Sequence, residues 1–401
     1  MSKINLTKIC NITTGKLDSN AAEENGKYPY FTCAPEPLAI NTYAFDDDVI
    51  LLAGNNASGN FHCQRYKGKF NAYQRTYIIT AKDGYDIDYI YYNLKINLER
   101  LKKVAQGSQT KFLTMQILNE FKLENLDLKE QKLLSKILRT IDRKIDLNNK
   151  INTELESMAK TLYDYWFLQF EFPNEEGKPY KSSGGKIVWN EELKREIPEG
   201  WEVEKVKNCI THINSGLNPR NNFVLNNGGN IKYITVKNLT TDGTIDYSGC
   251  DMITKEVKDL INKRSMIAEG DILFASISPL GRCHLIYETP KDWEINESVF
   301  SIRPNLDVLN SEYLYMFFMS NWFIRKSEHS STGSIFSGIR ISALENTDIL
   351  VPSKTILDKF KKIIEPLYKT KFTNCSQNQE LISLRDFLLP LLMNGQVGFK
   401  S

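Results

Sequence analysis

From about Asp127 to Trp166 the chain carries no Pro or Gly, and apolar residues recur near a 3.5-residue spacing: Leu134, Leu138, Ile141, Ile145, Ile151, Leu155, Met158 and Leu162. That period predicts a long helix with a coiled-coil seam. A second such stretch runs from about Ile356 to Met393, with Phe360, Ile363, Leu367, Leu381, Leu384 and Leu388 on the seam. Pro366 lies inside it and predicts a bend rather than an end, because the seam resumes beyond it. Asn148 and Asn374 interrupt the two seams near their middles. A buried Asn costs stability but fixes register, since it is satisfied only opposite another polar group. Antiparallel helices with Asn148 against Asn374 pair positions whose numbers sum to 522. Ile141 then faces Leu381, Leu155 faces Leu367, Leu162 faces Phe360 and Leu134 faces Leu388.

Ahead of each helix the pattern changes. Short β-branched and aromatic runs (Val49–Leu52, Tyr77–Thr80, Ile231–Val236, Asp271–Ala275) alternate with Gly/Asn-rich turns. Helical stretches close each region, near Ile87–Asn97 and Ser311–Ser327. The expected fold is α/β of the mixed α+β kind, with irregular, mainly antiparallel sheets and two long antiparallel helices.

The chain also repeats itself. A shift of 226 residues lays Gly107-Ser108 on Gly333-Ser334, Lys136-Ile137 on Lys362-Ile363, Asn148 on Asn374, Asn152 on Asn378 and Glu154-Leu155 on Glu380-Leu381. With small slips, Asp48–Leu51 matches Asp271–Phe274, Gly59–His62 matches Gly281–His284, and Gly15 falls on Gly216. The partition is a first domain at 1–124, its helix at 125–168, a connector at 169–197, a second domain at 198–353, and the second helix and tail at 354–401. Duplication points to a target with two similar parts and implies pseudo-twofold symmetry.

Composition narrows the function. Aromatics at 11% exclude disorder of the whole, and no apolar run reaches the roughly 20 residues of a membrane span. The start, Met1-Ser2-Lys3-Ile4-Asn5-Leu6, does not read as a signal peptide, so a cytoplasmic location is expected. Seven scattered cysteines and four histidines do not suit a disulfide framework or a metal site. No Gly-x-x-x-x-Gly-Lys-Ser/Thr loop is present, and Asn218-Pro219-Arg220 lacks the second Pro and the aromatic of a methyltransferase tetrad. The chain reads as a binding protein without catalytic residues or a cofactor or metal of its own. The second domain is net acidic, with 15 basic against 19 acidic residues.

Several strings resemble one family. Tyr165-Trp166-Phe167, Phe170-Glu171-Phe172-Pro173, Ile197-Pro198-Glu199-Gly200-Trp201 and Leu388-Leu389-Pro390-Leu391-Leu392-Met393-Asn394-Gly395-Gln396-Val397 are similar to segments of specificity (S) subunits of type I restriction-modification systems. The resemblance spans both domains and both helices in the family's order. It implies two target recognition domains, each reading half of a split double-stranded DNA sequence. The helices would set the half-site spacing and dock two methyltransferase (M) subunits, with motor-nuclease (R) subunits joining through them. S-adenosylmethionine, ATP and Mg would then be bound by the partners. Rival readings are a coiled-coil scaffold without sequence-specific DNA binding, and a free-standing nuclease or methylase.

Candidate DNA contacts are polar side chains on loops. In the first domain these are Asn55, Asn56, Ser58, Asn60, His62, Arg65, Lys67, Lys69, Gln74 and Arg75, then Lys102, Lys103, Gln106, Ser108, Gln109 and Lys111. In the second they are Asn218, Arg220, Asn221, Lys237, Ser276, Ser278, Arg282, His284, Asn296 and Arg303, then Ser331, Thr332, Ser334, Ser337 and Arg340. The plainer alternative makes these loops solvated turns, and His62 and His284 read as turn or core residues rather than as ligands. Trp166, Phe167, Leu391 and Leu392, which follow the rods, are candidates for M-subunit docking; the plainer alternative caps each rod on its own domain.

Overall fold

The computed structural model describes residues 2–107, 110–330 and 338–396, with the side chains of 328–330 left aside. The chain divides into two compact units. Residues 2–148 with 377–396 form the first, and residues 149–376 the second. Both long helices are thus shared, and each unit contains a stretch of each.

In the first unit, strands β1 (Cys10–Thr14), β2 (Phe45–Ala53), β3 (Cys63–Ala72) and β4 (Thr76–Ala81) lie in the order β1-β4-β2-β3, and Tyr28–Phe31 and Leu38–Ile40 extend the β3 side. Side chains alternate between the faces of a strand. Val49, Leu51, Phe70, Ala72 and Ile78 meet Phe31 on one face. Ile50, Leu52 and Ile79 pack on the other against Tyr89, Ile90 and Leu94 of the helix Ile87–Ile96. Both faces are covered, which is why the middle of β2 reads as an apolar run. Lys3–Asn5 pairs antiparallel with Lys122–Glu124 and closes the domain just before helix α1 (Leu128–Tyr163).

The second unit repeats this plan. Strands β5 (Ile210–Ser215), β6 (Ile272–Ala275), β7 (Cys283–Leu285) and β8 (Val299–Pro304) lie in the order β5-β8-β6-β7, the same order as their counterparts. Glu202–Lys205 pairs with Asp348–Val351 before helix α2 (Lys354–Met393). Ile231–Ile234 pairs antiparallel with Asp251–Ile253 and parallel with Trp293–Ile295 as a separate sheet, the pairing that Tyr28–Phe31 makes in the first unit with Leu38–Ile40 and with Asn71–Ala72 at the end of β3. The matched glycines do matching work. A Cβ on Gly15 would lie 2.0 Å from the Ala72 carbonyl oxygen, and one on Gly216 would lie 1.9 Å from that of Ile295. Only glycine allows these close approaches of two backbones.

The expected helix near Ser311–Ser327 is two helices, Ser311–Met319 and Asn321–Ser330, because Ser320 takes an extended conformation between them. Helix α2 continues through Pro366, as expected, and ends at Met393. The connector is more than a linker. Its hairpin, Ile187–Asn190 with Arg195–Pro198, and its aromatics Phe170, Phe172 and Tyr180 pack with Trp201 on the core of the second unit.

The helix seam differs from the apolar spacing. Leu134, Leu138, Ile141 and Ile145 are buried as expected, but the three–four alternation then continues through Asn148 and Asn152 rather than Ile151. Ile151 and Met158 are exposed, as are Ile363 and Leu384 on α2, while Leu155, Leu162, Leu367, Leu381 and Leu388 are half-buried and Phe360 is buried. Two polar residues hold the seam, so following apolar residues alone steps off it.

The helices run antiparallel in both units, but the register is one helical turn from the expected one. In the first unit the Asn148 amide donates to Asn378 Oδ1 (2.8 Å) and Gln377 Oε1 (2.9 Å), and Arg385 pairs with Asp142 (3.0 Å). In the second, Asn374 donates to Asn152 Oδ1 (2.9 Å), Asn152 to Cys375 Sγ (3.3 Å), and Lys371 pairs with Glu156 (3.3 Å). The asparagine pairs sum to 526 rather than 522. The reason is the second asparagine on each helix. Pairing Asn148 with Asn374 would set Asn152 opposite Thr370 and Asn378 opposite Lys144, whereas the adopted register joins asparagines in both units.

Candidate nucleic-acid interface

In the first unit the two polar concentrations of the sequence meet. Asn55–Asn56 forms a short ladder with Lys111–Phe112, and Gln106 bridges to Phe112. Asn56 Oδ1 accepts from the backbone amides of Ser58 (3.0 Å) and Asn60 (3.1 Å) and from Ser58 Oγ (3.0 Å), which folds 56–60 into a compact turn. Gly59, at φ +74°, lets Lys102 and Lys111 close over that turn, since a Cβ there would lie 3.1 Å from Lys111 Cγ and 3.2 Å from Lys102 Cγ. Lys102 Nζ donates to Asn60 Oδ1 (2.5 Å). Gly54 N donates to the Arg75 carbonyl (2.9 Å), so exposed Arg75 begins at the base of the same cluster. Asn55 Oδ1 is buried with no hydrogen-bond partner among the described residues. The result is an amide-rich, two-lysine surface with the donor types that meet phosphates and base edges.

Other first-domain candidates lie elsewhere. Lys67 and Lys69 sit across the β2–β3 ladder from Asp48 and Asp46, removed from the Asn55–Asn60 turn, and Lys69 lies 4.5 Å over the Tyr43 ring. Gln74 donates to Asp18 (2.8 Å). Arg65 is a structural residue and is withdrawn as a DNA contact. Its guanidinium is nearly buried, pairs with Asp48 and Asp88 at 2.7 Å each, and donates to the Val49 carbonyl (2.7 Å). Burial depresses the His62 pKa. Ser108 and Gln109 lie outside the described residues.

In the second unit the loop pairing recurs. Ile277 bridges to Gly338, the counterparts of Asn55 and Phe112, and Ile339 N donates to the Ser276 carbonyl (2.8 Å). Gly281, at φ +84°, again lies under a helix, here with Ile324 where the first unit has Lys102. Arg340, Lys237 and Arg220 are exposed, and Ser278 precedes Pro279 through a cis peptide.

Four expected contacts here are corrected. Ser276 is buried and donates to the Ser298 carbonyl (2.8 Å), and Asn296 is buried and caps Ser298 N (3.1 Å). Arg282 spends its donors on the carbonyls of Val236 (2.7 Å), Pro279 (3.1 Å) and Ile277 (3.2 Å), tying its own loop together. Arg303 forms a two-point pair with fully buried Asp271, at 2.7 and 2.9 Å. Thr332, Ser334, Ser337 and Ser331 lie outside the described residues. Exposed Trp322 and Arg325 on the helix Asn321–Ser330 were not among the expected contacts; carrying the slip that matches Gly59 to Gly281 forward from Lys102 would have reached that helix.

His284 is a core residue. It hydrogen-bonds the Gly243 carbonyl through Nδ1 (2.9 Å) and packs on Phe372. Burial first, then the Lys371 charge, brings its pKa from 6.5 down to about 4. The folded protein keeps it neutral while the unfolded chain takes up a proton near pH 6.5, so stability falls as pH drops through the window from about 6.5 to 4. Between pH 7 and pH 5 the expected loss is about 2 kcal/mol. Urea midpoints of His284→Gln should lack that part of the acid slope; an unchanged slope would contradict the assignment.

The docking candidates are also corrected. Trp166, Phe167 and Leu392 are interior, and Leu391 is half-buried. Phe167 packs against Tyr313 (4.7 Å) and Phe360 (4.8 Å), and Leu392 joins the core of the first unit. Exposed apolar residues lie instead along the helices: Leu133, Leu147, Ile151 and Met158 on α1, and Ile363, Leu384 and Phe387 on α2.

Comparison with known proteins agrees with this duplicated architecture. A family model for the type I restriction modification DNA specificity domain matches twice, over residues 1–157 and 198–382. The type I restriction enzyme MjaIX specificity subunit of Methanocaldococcus jannaschii is 28% identical over 330 residues, covering 80% of this chain and 71% of that one. The EcoDI specificity subunit of Escherichia coli is 23% identical over 380 residues, covering 91% and 80%. The crystal structure of the S subunit from M. genitalium has the same fold, with a TM-score of 0.64 at 17% identity over 98% of this chain and 96% of that one. The chain belongs to the type I restriction modification DNA specificity domain family and is a specificity subunit of a type I restriction-modification system.

Proposed function

We propose that this chain reads a bipartite duplex target, one half-site per domain, and that its helices dock two methyltransferase subunits through which motor-nuclease subunits join. The observation that carries the reading is the recurrent loop pairing, Asn55 with Phe112 and Ile277 with Gly338, each roofed by the helix that follows the domain's main α-helix. One unit built twice suits a target with two similar parts. Methylation and cleavage then belong to the partners, with S-adenosylmethionine, ATP and Mg bound there, in the cytoplasm where the host DNA lies.

Met158 and Leu384 occupy the same repeat position and are both exposed, so each half offers an equivalent apolar site to one partner.

Methylation mapping with the assembled complex tests the reading. A spacer within one to two helical turns (roughly 34–36 Å each) fits a fixed pair of domains, and adding about five base pairs turns one half-site by around half a turn. Methylation should then fall to background, and equal modification of the lengthened target would refute the proposal. Exchanging residues 1–124 for another member's first domain should alter one half-site only; the pairing of Lys3–Asn5 with Lys122–Glu124 makes that segment a natural unit of exchange.

The lysine pair gives a second measurement. If Lys102 and Lys111 each meet a phosphate, Lys102→Ala with Lys111→Ala lowers the slope of log K against log salt by about 0.9 per lysine. An unchanged slope would remove these two from the interface.

A further inference from the structure

The polar contacts along the seam separate into two kinds. The asparagines are indifferent to which half pairs with which. The 226-residue repeat carries Asn378 onto Asn152 and Asn374 onto Asn148, so two first halves, or two second halves, would still set asparagine against asparagine. The ions are not indifferent. Both acids, Asp142 and Glu156, lie on α1, and both bases, Arg385 and Lys371, lie on α2.

Substituting one half for the other in the same geometry shows the consequence. In a pair of first halves, Asp142 would meet Ala159 where Arg385 stands, and Glu156 would meet Ile145 where Lys371 stands. In a pair of second halves, Arg385 would meet Tyr368 and Lys371 would meet Ile382. Lys371 is 1% exposed, so its charge would stay buried opposite an isoleucine, with the Asp242 carbonyl it already holds and the nearby Asp242 carboxylate in place of Glu156. Asp142 would keep the Tyr92 hydroxyl (2.6 Å) and lose its cation. Arg385 would keep Asp386 of its own helix (2.9 Å) and Glu156 is a third exposed, so the cost of a buried ion without its partner falls on Asp142 in a pair of first halves and on Lys371 in a pair of second halves, twice in each.

We propose that the asparagines set the register and the four ions set the partner: α1 is an acid-bearing surface built for an α2-type helix, and pairing of two like halves is excluded. On the reading above, which this consequence rests on, every assembly presents two different domains and so reads an asymmetric target, never one half-site repeated.

The test uses the full-length chain with a protease site placed at the exposed turn around Ser183–Gly184, cut after purification. The fragments should remain associated one to one by native mass spectrometry. Two nicked preparations whose first-half fragments carry different tags, mixed and left to exchange, should give no complex containing both tags. Asp142→Lys with Glu156→Lys should weaken fragment association by about a hundredfold or more, and adding Lys371→Glu with Arg385→Glu should bring it back to within about tenfold of the parent. Complexes holding two first halves, association indifferent to the reversal, or no recovery in the fourfold variant would each overturn the proposal. The tag-exchange arm needs no substitution and stands even if a reversed chain fails to fold. DNA plays no part in the readout, so its failure is distinct from failure of the DNA-reading proposal.

Discussion

Asp271→Ala is expected to destabilise the second unit by about 3 kcal/mol, the lower end for a broken buried pair because the Arg303 head keeps about a third of its exposure. The Asp271 carboxylate is fully buried and accepts from Arg303 Nε and a terminal Arg303 nitrogen, from Ser301 Oγ (3.1 Å) and from Ala268 N (2.8 Å). Removing it strands the Ser301 hydroxyl between β6 and β8 and frees a cation where the chain turns at Met266, whose carbonyl also accepts from Arg303. Asp271→Asn keeps the size and part of the bonding and should cost less. Denaturant midpoints for both variants check the order, and an Ala variant as stable as the parent would mean that Arg303 is available for DNA after all.

Arg303 shows what the sequence could and could not reveal. The duplication, both long helices and the main strands were legible because each rests on a periodic or repeated pattern; Gly15 could be laid on Gly216, but the close backbone approach at each came only with the fold. The fate of individual arginines was not. Arg65, Arg282 and Arg303 all stand near Gly-rich loops, where a cation reads as a phosphate contact, yet their partners are Asp48, Asp88, Asp271 and backbone carbonyls brought in by the fold. Lys102 illustrates the opposite outcome: it joins Asn60 across 42 positions of chain and draws two separate loops into one surface. The seam failed for a related reason. Counting apolar residues passes over Asn148 and Asn152, although these carry the alternation through the middle of α1.

Phe167→Ala and Met158→Glu should separate core from docking surface. Phe167 is 2% exposed and lies within 6.0 Å, ring centre to ring centre, of Tyr163, Tyr313, Phe360 and Trp201. Its truncation should cost about 3–5 kcal/mol of stability, from lost transfer energy and the cavity left among those rings. Met158 is 61% exposed on α1, nine residues earlier, whereas Phe167 lies in the π-helical turn Asp164–Leu168 that follows α1. A carboxylate there is solvated in the free chain, so stability should change by less than about 0.5 kcal/mol. Against an apolar partner face the same carboxylate must be desolvated, and affinity for a methyltransferase subunit should fall by at least about tenfold. Leu384→Glu, at the equivalent repeat position, should reproduce the effect at the second partner site, and the double variant should bind neither copy. Thermal melts and titration of the purified methyltransferase subunit separate the outcomes. A Met158→Glu chain that binds two partners normally would move docking off this helix face, whereas a Phe167→Ala chain that keeps its stability would return Phe167 to the docking surface.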